Sequence, residues 1–78
     1  MEAKIKKLAD MELYKARLAL KDFRRGGVTN MRAAFEIAGC HGAVSVLALL
    51  ASDCDMKIDL HPFLERIEQI FSEIKEVG

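Results

Sequence analysis

Residues 33–51 read AAFEIAGCHGAVSVLALLA, and only Glu36, His41 and Ser45 interrupt the run with clearly polar side chains. A helix packed against one neighbour needs a single apolar stripe, whereas one that is apolar almost all round has to be covered on several sides. The stretch therefore predicts a central helix whose two companions in the same chain cover only part of it. A second copy of the chain is expected to cover the rest.

The flanking sequence supplies those companions. Ile5, Leu8, Ala9, Leu13, Ala16, Leu20 and Phe23 recur at spacings of three and four, which predicts a first helix over about 2–25 with these residues on its inner face. Met11, Tyr14 and Leu18 form a second short stripe beside it. Arg24 and Arg25 sit where cations favour the negative end of a helix dipole, and Gly26 and Gly27 stop the helix. Thr29 or Asn30 is the expected N-cap of the second helix, over about 30–52. So short a connection predicts an antiparallel hairpin.

Inside the second helix, Gly39 and Gly42 each cost about 1 kcal/mol relative to Ala. Ala38 with Gly42, and Gly39 with Ala43, are pairs of small residues four apart, which points to close approach of another helix. Residues 53–59, DCDMKID, break the pattern. Asp59 is the expected cap of a third helix over about 60–77, with Pro62 tolerated in its first turn. There Leu60, Phe63, Leu64, Ile67, Ile70, Phe71, Ile74 and Val77 form the inner stripe. The reading is one all-α domain over 1–78: a three-helix up-down-up bundle completed by homodimerisation, the commonest symmetric assembly.

The chain has 78 residues, near the lower limit for a core without staples. At 51% hydrophobic and 31% charged it is globular in type. The net charge is zero but unevenly placed: residues 1–32 hold nine Lys or Arg against four acids, and residues 33–78 hold three against eight. This predicts a basic first helix lying beside an acidic third one. A neutral total falls short of the signature of nucleic-acid binders. Lys21, Arg24, Arg25 and Arg32 still gather at one end of the hairpin as candidate phosphate contacts, without the aromatic interleaving that base stacking needs.

Cys40 and Cys54 are fourteen residues apart. On one helix that is roughly 20 Å, beyond the reach of a disulfide. Reduced thiols and an N-terminus without a continuous apolar segment predict a cytoplasmic protein. The uninterrupted apolar part of the central stretch is shorter than a membrane span and contains His41, so no membrane insertion is expected.

Chemistry-bearing constellations fall short of their templates. In a calcium-loop frame Asp53, Asp55 and Asp59 take the third, fifth and ninth positions. However, the first is Ala51, the glycine position is Met56 and the bidentate acid is Pro62. Cys40, His41, Cys54 and His61 lack the short paired spacings of zinc sites. Cys40 beside His41 is adjacent in sequence only, and Glu36 lies five residues from His41, so no nucleophile, base and orienting group line up. No metal, cofactor or catalytic residue is predicted.

From Ala9 to Ser52, two long helices joined by a Gly turn, with AAFEIAGCHGA in the second, loosely resemble the helical hairpin of HEPN-type domains. The ribonuclease motif of that family, an Arg followed within about six residues by His, is absent because Arg32 and His41 lie too far apart. The resemblance implies a hairpin and no active site.

The functional expectation is a non-enzymatic helical module for self-association or for docking a partner helix. The alternative is a nucleic-acid-associated accessory protein using Arg24, Arg25 and Arg32. The candidate interface comprises Phe35, Ala38, Gly39, Gly42, Val46, Leu49 and Leu50 of the second helix with Met11, Tyr14 and Leu18 of the first.

Overall fold

In a computed structural model, which describes the backbone of residues 1–77 and the side-chain surroundings of residues 1–74, the chain forms three helices. They are α1 (Glu2–Arg24), α2 (Asn30–Asp53) and α3 (His61–Val77), and the described residues contain no strand. Each helix packs on both others.

The ends of the helices follow from local chemistry. Beyond Arg24, the Gly26 N–H donates to the Phe23 carbonyl at 3.0 Å and the Gly27 N–H to the Asp22 carbonyl at 2.8 Å, with Gly26 at φ +78°. This is a Schellman stop, and its left-handed position is free of strain only for a residue without Cβ. Thr29 then caps α2, its Oγ1 accepting from the Arg32 N–H at 3.1 Å. Asn30, the other candidate cap, instead donates from Nδ2 to the Ile74 carbonyl at 3.0 Å and ties the start of α2 to the end of α3.

α2 ends by the same device without a glycine. The Met56 N–H donates to the Ala51 carbonyl at 2.9 Å and the Asp55 N–H to that of Ser52 at 3.2 Å. Asp55 holds the left-handed position at φ 53°. The expected cap of α3 is shifted by one residue: the helix starts at His61, and the Asp59 carboxylate accepts from the His61 N–H at 3.0 Å. Pro62 falls in the first turn, where its missing N–H has no partner to lose.

The core contains Ile5, Leu13 and Leu20 of α1, Ile37 and Val44 of α2, and Leu60, Ile67, Ile70 and Ile74, all buried. Alanines line much of the rest: Ala9, Ala16, Ala19, Ala33 and Ala51 are each at most 3% exposed. Side chains this small let the helices lie close, and the molecule is correspondingly slender, 41 × 17 × 15 Å. No polar or charged side chain is buried among the described residues. Leu8 departs from expectation. It is 43% exposed, because the narrow alanine-lined seam is filled by Ile5 and Ala9 and leaves Leu8 on its rim. Phe71 is likewise at the edge of the α3 stripe, 36% exposed. The side chain of Val77, the last expected member of that stripe, lies outside the described residues.

Candidate functional site

The central helix is only partly covered. Its N-terminal half turns Met31 and Phe35 to solvent, each 81% exposed, and its C-terminal half exposes Val46 (56%), Leu49 (66%) and Leu50 (50%). Between these groups stand Ala38, Gly39 and Gly42, all solvent-facing. On α1, Leu8, Met11, Tyr14 and Leu18 are also exposed. All ten residues of the expected interface therefore lie on the surface. Met31 and Leu8 were not among them. Met31 is legible as the residue one helical turn before Phe35, whereas the spacing of Leu8 assigns it to the inner face of α1.

A shallow groove runs between the two rows. Leu18 of α1 and Gly39 of α2 line one shallow groove together with Glu12, Lys15, Asp22 and Glu36. Charged pairs edge the surface there: Lys15 Nζ to Glu12 Oε2 at 3.0 Å and Arg32 Nε to Glu36 Oε1 at 3.3 Å. On the other side, Ala38 and Phe71 share a groove of about 360 Å³ between α2 and α3 with Ile37, His41, Ile67 and Glu68. At roughly 150 Å² for a fully exposed large side chain, the five on α2 present on the order of 500 Å² and the four on α1 on the order of 300 Å², with Glu12, Lys15, Asp22 and Glu36 in the groove between them. Soluble monomers rarely leave more than a few hundred Å² of contiguous apolar surface bare.

The glycines do not serve packing inside the chain. A Cβ built at Gly39 or Gly42 meets nothing within 4 Å. The close approach expected of these small residues is not made by α1 or α3, since both positions face away from the core.

The basic end of the hairpin is largely matched by acids. Arg24 pairs with Glu73, Arg25 with Asp22 and Arg32 with Glu36. Of these, Arg24–Glu73 carries the expected attraction between the basic first helix and the acidic third. The other two lie within or beside single helices. With three guanidinium groups each facing a carboxylate, the field offered to a phosphate chain is weak.

The remaining polar candidates are dispersed. His41, half-buried, hydrogen-bonds through Nε2 to Glu68 Oε2 at 3.1 Å across α2 and α3. His61 pairs with Glu65 at 3.2 Å on α3. Cys40 is buried and free, and Cys54, at the end of α2, is free and exposed. Burial pushes the Cys40 thiol above its ordinary value, and the neighbouring Glu12 carboxylate adds to the shift. A thiol so placed behaves as a small hydrophobe, not a nucleophile. Asp55 and Asp59 are occupied with helix ends, and among the described residues no three His, Cys, Asp or Glu side chains converge as a metal site would require.

By length and composition α2 also reaches the measure of a membrane-crossing helix. It has 24 residues, and its most apolar 18-residue window has mean hydropathy 1.7 with 22% of it buried. To cross a bilayer it would have to leave α1 and α3, baring Ile5, Leu13, Ile67 and Ile70, or draw the Lys-bearing α1 into the hydrocarbon with it.

No family model, no curated protein and no solved structure matches this chain.

Proposed function

We propose that the chain is a non-enzymatic helical interaction module that self-associates as a homodimer through the outer face of α2. One observation carries this reading: Met31, Phe35, Val46, Leu49 and Leu50 stand in water on one side of the central helix. These five side chains present on the order of 500 Å² of apolar surface, about the non-polar share of the roughly 800 Å² that each partner of a standard-sized interface buries. The flanking Lys15–Glu12 and Arg32–Glu36 pairs supply the polar rim such interfaces have. A second copy brings an identical apolar surface at no further requirement on composition, and two-fold pairing closes the assembly. Dimerisation also enlarges a core that is small for a free-standing domain.

Sedimentation equilibrium of the full chain, from micromolar to several hundred micromolar, is the test. The expected result is a mass of twice the chain. A monomer throughout overturns self-association, and flotation of that monomer with neutral lipid vesicles assigns the face to a membrane surface instead. The rival use of Lys21, Arg24, Arg25 and Arg32 for nucleic acid has no separate observation in its favour. Salt-sensitive duplex binding by the purified chain would reopen it.

A further inference from the structure

The exposed row on α2 has an internal symmetry. Met31, Phe35, Gly39, Gly42, Val46 and Leu50 follow at spacings of four, four, three, four and four, so sizes run large, large, small, small, large, large from either end, and Leu49, exposed beside Leu50, has Arg32 as its counterpart. Given the self-association proposed above, on which this rests, we infer that two copies pair antiparallel through α2, crossing at Gly39 and Gly42. A two-fold axis between these glycines sets Gly39 against Gly42 of the second copy, Phe35 against its Val46, and Met31 against its Leu50. Phe35 then meets the smaller Val46, and Met31 meets Leu50, a side chain of similar volume. Only at the crossing, where the two backbones come nearest, are the side chains absent, and there a Cβ has open space on the chain's own side.

A parallel pairing would superpose the same six positions on themselves, and the charges decide against it. The first turn of α2 carries no acidic residue and its last turn no basic one, so neither end of the helix dipole is compensated within α2. Asp53 lies eighteen residues after Phe35, five full turns at 100° per residue, and so continues the line of the exposed row. It takes part in no ion pair among the described residues. Antiparallel pairing brings Asp53 of the second copy beside the start of α2, where free backbone N–H groups favour an anion. Reciprocally, Arg32 comes beside the last turn of the second copy's α2. Parallel pairing would place Asp53 on Asp53 and align the two dipoles.

Cys54 provides the test in the natural chain, because it is exposed at the end of α2 while Cys40 is buried. A nitroxide is attached at Cys54, and dipolar spectroscopy reads the distance between the two labels in the dimer. The axis between Gly39 and Gly42 places the two Cys54 sites twenty-seven residues apart along the helix pair, on the order of 40 Å at 1.5 Å per residue. Parallel pairing brings them to about 10–20 Å, roughly the width of two packed helices. A distribution centred near 40 Å is the expected result. A short separation, or any other distance, in a sample that sediments as a dimer overturns the antiparallel crossing and leaves self-association standing. A sample that sediments as a monomer and shows no dipolar coupling overturns both.

Discussion

Replacing Gly39 and Gly42 by Ala separates the stability of the chain from its association. Neither glycine has positive φ, both lie within α2, and an added Cβ meets nothing within 4 Å at either position. Within one chain the substitution therefore gains helix propensity without a steric penalty, about 1 kcal/mol at each site and about 2 kcal/mol for the pair. For a domain of this size about 1 kcal/mol moves Tm by roughly 4–8 °C, so the double variant should melt about 8–16 °C higher when dilute enough to be monomeric. If the glycines mark the crossing between copies, the two methyl groups hold the helices apart. Each 1.4 kcal/mol lost there weakens association about tenfold. Circular dichroism melts at low micromolar concentration and sedimentation equilibrium at high concentration read the two effects separately, and they are expected to move in opposite directions. A lower Tm in the dilute variant would refute the open-space reading of α2. A higher Tm with undiminished association would remove the glycines from the contact.

Four further outcomes rest on features of the chain itself. Asp55 occupies a left-handed position at φ 53°, so Asp55→Gly should stabilise the fold by about 1 kcal/mol in urea titrations, and a β-branched residue there should destabilise it. Ile67 is fully buried in α3. Ile67→Val is expected to cost about 0.5–1.5 kcal/mol and Ile67→Ala about 2–5 kcal/mol, enough that the Ala variant should show lost cooperativity or outright unfolding by circular dichroism. Cys54 should react promptly with an aromatic disulfide reagent at neutral pH and Cys40 only on unfolding. Because burial, reinforced by Glu12, raises the Cys40 thiol, the folded chain keeps that proton to higher pH than the unfolded chain does. Its contribution to stability is therefore complete below about pH 8.5 and is lost as pH rises through the folded value. Cys40→Ala should remove that alkaline loss, as urea midpoints across the range would report.

α1 and α3 were legible from their period-3.6 apolar rows, and α2 from its nearly unbroken apolar run between a Gly turn and a polar segment. Arg24-Arg25-Gly26-Gly27 announces its Schellman turn by composition. The matching turn after Asp53 does not, since an aspartate stands at the left-handed position, and α2 runs one residue further than its pattern suggested. Leu8 was misplaced because spacing alone does not tell the centre of a face from its rim. That distinction depends on Ala9 and Ala16 drawing the helices close. Asn30 presented itself as a local cap, yet its amide reaches the Ile74 carbonyl, forty-four residues away, a contact no neighbouring residue signals. The exposed interface candidates were recognisable for a simpler reason: α2 bears more apolar side chains than two neighbours can touch. Which of those rows faced outward depended on the register of the hairpin.

The alanine-lined seam also governs how this sequence can drift. Enlarging Ala9, Ala16, Ala19, Ala33 or Ala51 wedges the rods apart, at about 1–3 kcal/mol per overpacked site, a large fraction of what holds so small a domain together. Inside, natural variation is thus limited by girth more than by oiliness. On the outer flank of α2 the chain alone imposes no such ceiling, so any constancy of shape among descendants at Met31, Phe35 or Val46 has to be enforced by whatever those side chains meet.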